Sequence, residues 1–378
     1  MKSLNKLAGI KNKTVILRAD FNVPIIDDKI IDSFRIDATL PTIDYLLKKG
    51  ANIIILAHLG DDGKKSLAPI ARYLNKKKYK GYFEKSDNPE IIRDSANRLC
   101  NGEILLVENI RRFAGEKENK KDFAVFLASL GIAFVNDAFA VSHRNHASVI
   151  GIPKLLPSYA GIQMEKEIKM LGKILKPKHP FLFILGGAKF ETKLPLLKKY
   201  LNIADAVFVG GALANTLLKE RGYEIGKSLN EDDIKGLKQL VKNPKLLLPM
   251  DVVVERGKTS LKKLNTVGIE EVEKKDTIID VGTETLTRLI PLINSAKLIV
   301  FNGPIGKIED GTKDLLKLLA KSKAEVIIGG GDTDEVINEL KMRDKFTFVS
   351  TGGGATLEFL AHGTLPGIKA LKLALGKA

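Results

Sequence analysis

The hydrophobic pattern of the chain has two alternating components. Short runs of apolar residues, many of them followed by glycine, are typical of buried parallel strands. Strands are expected at 14–18, 51–57, 79–83, 104–107 and 132–135 in the first half of the chain, and at 181–185, 206–209, 245–254, 297–301, 325–328 and 346–349 in the second half. The segments between these runs have the apolar spacing of helices that cover one face of a sheet.

The helical segments carry recognisable start signals. Asp32 or Ser33 is expected to cap the first long helix, and Asn88 with Pro89 is expected to open another. Helices are expected at 33–49, 67–77, 88–99, 119–130, 163–175, 215–220, 231–241, 283–294 and 312–319. Strands alternating with helices predict an α/β fold of two doubly wound parallel-sheet (Rossmann-like) domains joined by a hinge. The proline-containing segment 151–161 interrupts the alternation and is expected to cross between the domains.

Composition is typical of a soluble globular protein with anionic partners. The 378 residues suffice for about two domains, and no apolar run approaches the ~20 residues of a membrane span. A formal charge of +16 favours nucleic acid, anionic lipid or phosphorylated metabolites. Nucleic acid is the less favoured partner because the chain has no tryptophan and does not interleave aromatic residues with arginine. The single cysteine, Cys100, excludes an internal disulfide framework, favours a cytoplasmic protein and is expected to be a small core residue.

The stretch 181–193 has the features of a phosphate-binding turn. An apolar strand is followed by Gly186 and Gly187, which let the backbone approach an anion closely, and then by the start of a helix. Lys189 and Lys193 lie one helical turn apart on the same face. The spacing is not that of the Walker motif. A tight turn with two solvated lysines is the alternative interpretation.

The residues that follow the strands differ in chemistry between the two halves of the chain. Ligands of open α/β sheets bind beyond the carboxyl ends of the strands. These positions carry arginine, histidine and acidic residues at 18–24, 58, 108–112 and 136–146, and glycine-rich turns at 186–187, 210–211, 302–306, 329–333 and 351–354. Arginines suit a small, multiply charged anion, whereas glycine turns suit a nucleotide polyphosphate. Asp332 lies among the glycines, and a carboxylate can face phosphate only if a cation such as Mg²⁺ bridges the two. Two anion sites, one in each half of the chain, indicate phosphoryl transfer between two bound substrates.

These motifs together resemble the phosphoglycerate kinase family over nearly the whole chain. Eight matching segments occur in the family's order, namely 18–24, 58–60, 108–111, 135–139 with 143–148, 185–193, 302–306, 329–333 and 349–354. The resemblance implies reversible phosphoryl transfer from 1,3-bisphosphoglycerate to MgADP, giving 3-phosphoglycerate and MgATP, in glycolysis and gluconeogenesis. The expected partners are these small molecules and Mg²⁺, with no membrane and with nucleic acid not favoured. The enzyme is expected to be monomeric and cytoplasmic.

The resemblance assigns a role to each candidate site residue. The residues that match phosphoglycerate contacts are Asp20, Asn22, Arg35, His58, Arg111 and Arg144. The residues that match nucleotide contacts are Gly187, Ala188, Lys189, Lys193, Gly211, Asn302, Pro304, Glu309, Gly331, Asp332 and Thr333, with Asp332 as the metal ligand. The residues that match the catalytic set are Arg35, Lys193, Gly352 and Gly353, where the two glycines offer backbone amides to the moving phosphoryl group.

The resemblance further implies how the chain is divided. Residues 1–162, with the C-terminal tail from about 363 to 378 packed back on them, are expected to bind phosphoglycerate. Residues 163–362 are expected to bind the nucleotide. Because the two substrates must meet, the segments 151–163 and 350–351 are expected to act as hinges.

The chain departs from the family pattern in several places. Asp61 stands where arginine usually follows the 58–60 segment, so the basic patch loses one positive charge. Arg112 either compensates for that loss or points to solvent. The pair 212–213 is Ala-Leu instead of Gly-Met, which predicts a tighter adenine pocket, and Phe301 replaces a tryptophan as apolar packing.

Individual residues also have structural interpretations. Arg35 could form a helix-surface ion pair with Asp32, and Arg18 could be a buried salt-bridge partner. His143 and His146 have the spacing of a metal-ligand pair, but no third ligand accompanies them, so zinc is not favoured. A hydrogen-bonded structural role is expected for His146.

Two other functions compete with phosphoryl transfer. A two-domain dehydrogenase requires Gly-x-Gly-x-x-Gly between the first strand and helix, and the segment 18–24 does not have that pattern. A nucleic-acid-binding module is supported by the positive charge alone.

Overall fold

The computed structural model describes residues 1–100, 102–232, 234, 236–256, 263–308, 310–329 and 331–374, with only the backbone of Asp332 included. The chain forms two compact units. Unit 1 comprises Met1–Lys169 and the C-terminal segment that begins at Thr364, and unit 2 comprises Met170–Gly363. The division falls inside a single helix, Ile162–Leu175. Within the described ranges, no helix is long and apolar enough to cross a membrane.

Unit 1 is built on a parallel sheet. Its strands are β1 (Thr14–Arg18), β2 (Ile25–Ile26), β3 (Lys29–Ile30), β4 (Asn52–Leu56), β5 (Gly81–Glu84), β6 (Ile104–Val107), β7 (Ala133–Asn136) and β8 (Ser158–Ala160). Six of them form a parallel sheet in the order β5-β6-β4-β1-β7-β8, while β2 and β3 form a small antiparallel hairpin. Every residue of β4 and all but the first of β1 are buried, so both faces of the sheet are covered. This two-sided burial explains why these strands are continuous apolar runs in the sequence.

The helices of unit 1 follow most of the predicted segments. They are α1 (Phe34–Lys48), α2 (Ala68–Lys76), α3 (Pro89–Asn97), α4 (Ala114–Lys117) and α5 (Lys121–Ala128), and α6 (Ile162–Leu175) is divided between the two units. The Asp32 carboxylate accepts a hydrogen bond from the backbone N–H of Phe34 at 2.8 Å, and the Asn88 side chain accepts one from Glu90 at 2.9 Å. These bonds satisfy backbone donors in the first turns of α1 and α3, as the sequence predicted.

Unit 2 contains a second six-stranded parallel sheet. Its strands are β9 (Phe181–Leu185), β10 (Ala206–Val209), β11 (Leu246–Leu247), β12 (Asp251–Arg256), β13 (Lys263–Gly268), β14 (Thr277–Val281), β15 (Leu298–Asn302), β16 (Glu325–Gly329) and β17 (Phe348–Val349). The parallel sheet has the order β11-β10-β9-β15-β16-β17. Its helices are α7 (Phe190–Ile203), α8 (Gly211–Glu220), α9 (Leu237–Leu240), α10 (Thr283–Ser295), α11 (Asp310–Ala320), α12 (Asp332–Glu339) and α13 (Gly354–His362). The predicted fold class of two parallel-sheet α/β domains is confirmed.

A separate antiparallel sheet in unit 2 was missed by the sequence prediction. Its order is β13-β12-β14. The predicted strand at 245–254 is wrong, because β11 and β12 belong to different sheets and Pro249 lies between them. The predicted helix at 231–241 is also wrong in length, because the described residues of this segment contain only α9.

Two further expectations are corrected in unit 1. The segment 151–161 is more than a crossing, because it contains β8, which pairs in parallel with β7. Cys100 is exposed rather than a core residue, whereas its neighbour Leu99 is buried. The last helix, α14 (Pro366–Leu373), also belongs to unit 1, where the Gly367 N–H donates to the Ser142 carbonyl oxygen at 2.8 Å.

Candidate active site

The carboxyl ends of several strands meet at one edge of the unit 1 sheet. Arg18 ends β1 and pairs in register with Leu56 at the end of β4 and with Asn136 at the end of β7. The loops that follow these strands therefore lie at the same edge. The predicted phosphoglycerate contacts on or beside these loops are Asp20, Asn22, His58, Arg111 and Arg144, while Arg35 lies in the first turn of α1.

Asp20 is the centre of a small hydrogen-bonded group at this edge. Its carboxylate, 4% exposed, lies 3.2 Å from a terminal nitrogen of Arg35 and accepts from the Asn22 N–H at 3.3 Å. The Asn22 side-chain oxygen in turn accepts from the Gly60 N–H at 2.9 Å. Arg35 is thus held by a buried carboxylate, which fixes its guanidinium beside the β1 and β4 loops.

Arg18 and His58 form a second contact beneath this edge. Arg18 is fully buried, and its terminal nitrogen lies 3.3 Å from Nδ1 of His58. Because arginine can only donate, Nδ1 of His58 accepts and its proton is on Nε2. Burial, with the charge of Arg18 next in importance, holds the pKa of His58 well below its usual value. His58 is therefore a neutral donor, and Arg18, for which the sequence predicts only a buried salt-bridge role, positions it.

Glu116 holds Ser148 and Arg18 in place beneath the site, and the sequence analysis did not identify it. It is fully buried and accepts from the Ser148 N–H at 2.9 Å and from the Ser148 hydroxyl at 2.6 Å. Nε of Arg18 donates to the same hydroxyl at 2.9 Å. The carboxylate of Glu116 therefore neutralises the buried guanidinium of Arg18 through the Ser148 hydroxyl. Glu116 and Arg18 are 98 positions apart, so no local pattern could reveal this pairing.

Nδ1 of His146 takes no part in the hydrogen bonding expected of this residue. This atom is buried without a hydrogen-bond partner and lies 3.7 Å from Oε1 of Glu116, beyond hydrogen-bonding distance. Burial, followed by the charges of Arg111 and Arg18, lowers the pKa of His146 to about 4. Among the described residues, no three His, Cys, Asp or Glu side chains are grouped so that they could hold a metal ion.

Arg111 and Arg144 complete the predicted set at this edge. Arg111 donates from one terminal nitrogen to the Gly60 carbonyl oxygen and to the Asp61 carboxylate, each at 2.7 Å. Its Nε is buried without a hydrogen-bond partner. Arg144 is exposed. Arg112 lies 3.4 Å from the Glu108 carboxylate, so it forms an ion pair there instead of replacing the lost arginine.

The matching edge of unit 2 is formed mostly by backbone. Leu185 at the end of β9 is in register with Val209 of β10 and Asn302 of β15, and Asn302 is in register with Gly329 of β16. The glycine turns after β9, β10, β15 and β16 therefore lie together. Where unit 1 presents guanidinium and imidazole groups, unit 2 presents peptide groups.

Position 186 must be glycine because the loop after β9 passes very close to the loop after β15. A Cβ on Gly186 would lie 2.2 Å from the Pro304 carbonyl oxygen, a distance that real side chains do not tolerate. The Gly187 N–H donates to that oxygen at 2.7 Å, and Gly187 has a φ of +96°. Lys193, 7% exposed in the first turn of α7, donates from Nζ to the Gly186 carbonyl oxygen. The structure thus brings Gly187, Lys193 and Pro304 together.

A second pair of glycine turns lies at the start of α12 and α13. A Cβ on Gly331 would lie 3.9 Å from the Cα atom of Gly353, so the two turns are neighbours. The Thr333 hydroxyl is buried and has no hydrogen-bond partner, although a buried hydroxyl normally has one. Such a group is suited to bind a ligand oxygen. Glu309 and the side chain of Asp332 lie outside the described residues.

A cavity of about 490 Å³ opens beside the first pair of turns. Four predicted residues line it, namely Gly187, Ala188, Gly211 and Pro304. The sequence analysis missed Lys227, Leu229 and the residues of β14 that also line it. Of the Ala212-Leu213 pair that replaces Gly-Met, only Ala212 lines the cavity. Leu213 is fully buried and does not line it. The volume is within the range of small-molecule sites.

Asp280 of β14 braces the loop that closes this cavity. Its carboxylate, 2% exposed, accepts from the Gly311 N–H at 2.9 Å. A Cβ on Gly306 would lie 1.8 Å from the same carboxylate, so Gly306 and Gly311 are packed directly against it. Burial raises the pKa of Asp280. No motif in the sequence marks Asp280 beyond the β-branched run of β14, which belongs to the antiparallel sheet.

Comparison with known proteins agrees with this arrangement. A sequence model of the family "PGK: Phosphoglycerate kinase" matches residues 4–363. The phosphoglycerate kinase of Coprothermobacter proteolyticus is 41% identical over 383 aligned positions, covering 96% of this chain and 97% of the relative. That of Borrelia garinii subsp. bavariensis is 39% identical and covers 98% of each chain.

Solved structures give the same result. Phosphoglycerate kinase from Coxiella burnetii has a TM-score of 0.84 and 37% identity over 98% of both chains. The enzyme from Pyrococcus horikoshii has a TM-score of 0.86 and 30% identity over 100% of both chains. With its two parallel sheets, its arginine-lined edge and its glycine-lined edge, this chain belongs to the phosphoglycerate kinase family.

Proposed function

We propose that this chain transfers a phosphoryl group between the acyl phosphate of 1,3-bisphosphoglycerate and MgADP, giving 3-phosphoglycerate and MgATP. The unit 1 edge binds the phosphoglycerate, and the unit 2 edge binds the nucleotide. The observation that carries this proposal is the different chemistry of the two edges, which occurs at the positions that match the family's motifs. Guanidinium groups suit a small polyanion, whereas glycine turns leave amides open to polyphosphate.

In unit 1, the substrate is held by side chains that the protein has already fixed. Arg35 is braced by Asp20, and His58 is braced by Arg18. His58 donates a hydrogen bond through Nε2–H while remaining uncharged. Arg111 and Arg144 supply further positive charge. This prior ordering lowers the entropic cost of binding a small, highly charged ligand.

No side-chain nucleophile is needed for the transfer, because a terminal oxygen of ADP attacks the phosphorus directly. The enzyme then acts by positioning the two substrates and by stabilising the charge on the equatorial oxygens. We assign the charge stabilisation to Arg35, Lys193 and the amides of Gly352 and Gly353. Gly353 immediately precedes α13, so these amides lie at the positive end of a helix dipole.

A magnesium ion is compatible with the donor groups at the glycine turns. Mg²⁺ is usually held by substrate phosphates with one or two protein carboxylates, rather than by an all-protein cage. Asp332 begins α12 beside the unpaired Thr333 hydroxyl, and we propose it as the protein ligand. The ion would neutralise phosphate charge. The cytoplasmic location, the monomeric state and the hinges at 151–163 and 350–351 remain predictions.

A coupled assay tests the function. Purified protein with ADP, Mg²⁺ and 1,3-bisphosphoglycerate should form ATP, and NADH should not bind in place of MgADP. Lys193→Ala should lower kcat by about 10²- to 10³-fold, because one oriented donor to the moving charge is lost. Lys198→Ala, which changes an exposed lysine of the same helix, is the matched control and should leave kcat unchanged. Absence of ATP formation by the unmodified protein would refute the proposal.

A further inference from the structure

The carboxylate of Asp61 lies directly on one of the predicted substrate arginines. Its Oδ1 accepts a hydrogen bond from a terminal nitrogen of Arg111 at 2.7 Å. The Asp61 side chain is fully exposed to solvent, whereas only 7% of the Arg111 side chain is exposed. Asp61 therefore covers Arg111 from the solvent side, which is the side from which a dissolved ligand must approach.

The hydrogen-bonding capacity of that arginine nitrogen is fully used. A terminal guanidinium nitrogen carries two protons. One is donated to the Gly60 carbonyl oxygen and the other to Asp61, each over 2.7 Å. The Gly60 oxygen belongs to the backbone and cannot leave without moving the loop. An anion that binds Arg111 through this nitrogen must therefore displace the Asp61 carboxylate.

The neighbouring Asp62 has the same charge but different contacts. Its carboxylate accepts from the Lys64 N–H at 3.0 Å and lies 4.0 Å from the Lys64 side chain. Asp61 and Asp62 are thus equal in charge and adjacent in sequence, yet only Asp61 contacts the arginine. The chain itself supplies a control that separates direct competition from a general change in electrostatic field.

We propose that Asp61 is a specificity-determining residue that competes with phosphoglycerate for Arg111 and weakens its binding. The inference rests on the proposed function, because it takes Arg111 as a substrate contact. The Asp61 carboxylate is an anion of the protein's own chain, and the carboxylate or phosphate of the substrate replaces it on Arg111. Because exposed ion pairs are weak, the competition is expected to change substrate affinity by about two- to five-fold.

Steady-state kinetics of Asp61→Asn and Asp62→Asn test the competition. Asp61→Asn should lower the KM for 3-phosphoglycerate by about two- to five-fold and leave the KM for MgATP unchanged. Asp62→Asn should change the KM for 3-phosphoglycerate much less. Asp61→Ser removes the carboxylate with a different side chain and should repeat the result, while thermal unfolding confirms that each variant is folded.

A binding measurement provides a readout that does not depend on turnover. Calorimetric titration of 3-phosphoglycerate alone should show the same gain in affinity for Asp61→Asn and not for Asp62→Asn. An unchanged or higher KM for Asp61→Asn, or an equal effect of both variants, would overturn the inference. Lack of turnover by the unmodified protein would instead overturn the proposed function, so the two failures are distinguishable.

Discussion

The proposed anion sites at the edges of the two parallel sheets are built from different groups. In unit 1, charged side chains hold one another, as Asp20 holds Arg35 and Glu116 neutralises Arg18 through Ser148. In unit 2, glycines have no side chain and so allow the loops to approach closely, for example where Gly186 lies against Pro304. Function in unit 1 should therefore be sensitive to changes in charge, and function in unit 2 should be sensitive to added volume.

The largest effect is expected from removing a charge in unit 1. Arg35→Ala should lower kcat by about 10³- to 10⁵-fold, because an arginine that stabilises a transferring phosphoryl group contributes that much. Stability should also fall, because the buried Asp20 carboxylate loses its ion pair. Coupled kinetics and thermal unfolding measure both effects. Arg72→Ala, which breaks an exposed ion pair with Asp28 in the same unit, is the control and should change neither by much.

Adding one methyl group to unit 2 should give the next largest effect. Gly186→Ala places a Cβ against the Pro304 carbonyl oxygen, so the loops must separate, and MgADP affinity should fall about ten-fold or more. Gly172→Ala is the matched control, because nothing lies within 4 Å of its Cβ inside α6. It should stabilise the protein by about 0.5–1 kcal/mol. Calorimetric titration with MgADP measures the loss of affinity, and thermal unfolding measures the change in stability. Equal MgADP affinity of Gly186→Ala and Gly172→Ala would contradict the argument that added volume at Gly186 separates the loops.

Asp280→Ala tests whether unit 2 also depends on a buried charged side chain. The change leaves the Gly311 N–H without its acceptor at the start of α11. Loss of a buried hydrogen bond costs about 1–3 kcal/mol, so the loop should loosen and the KM for MgADP should rise several-fold. The KM for 3-phosphoglycerate should stay the same, because Asp280 lies in the other unit. Unchanged nucleotide kinetics would show that the glycine turns hold their shape unaided.

The smallest effect concerns acid sensitivity. His58, His143 and His146 of unit 1 all have a lowered pKa, which is about 4 for His143 and His146. Their unfolded forms take up protons near pH 6.5 while the folded forms do not, so unit 1 should lose stability as the pH falls from 6.5 towards 4. Asp137, whose pKa burial raises to about 6, opposes this loss in part because its folded form binds a proton first.

The melting temperature of the transition that 3-phosphoglycerate shifts reports on unit 1. Circular dichroism at pH 7.5, 6.5, 5.5 and 4.5 should show this temperature falling with acid. His146→Gln removes one of the titrating groups and should flatten the dependence. A slope identical to that of the unmodified protein would argue that His146 does not contribute.

Much of the fold could be predicted because buried parallel strands have a local signature. The runs that became β1, β4, β9 and β15 each contain at least three consecutive apolar residues and are buried at nearly every position, since both faces of each sheet are covered. The strand β13 was missed because it is mostly exposed and carries no such run. The prediction for Cys100 was wrong because residue type alone does not report exposure in the segment that follows α3.

The candidate site was predictable in part. Because ligands bind at the carboxyl ends of parallel strands, the residues after each strand could be selected directly. The contacts of Arg18 with Ser148 and of Asp61 with Arg111 could not, because they join residues that are 130 and 50 positions apart. Such pairings depend on how loops are folded against each other, and residue spacing does not encode that.

The sequence by itself determined which residues could bind anions, namely the arginines of one half of the chain and the glycines of the other. These properties reside in single side chains, or in their absence, and so can be recognised in the chain. Only the tertiary structure decided which of those groups are neutralised, braced or left without a partner. Charge and hydrogen bonding depend on distance in space, and folding brings together Glu116 with Ser148 and Asp280 with Gly311.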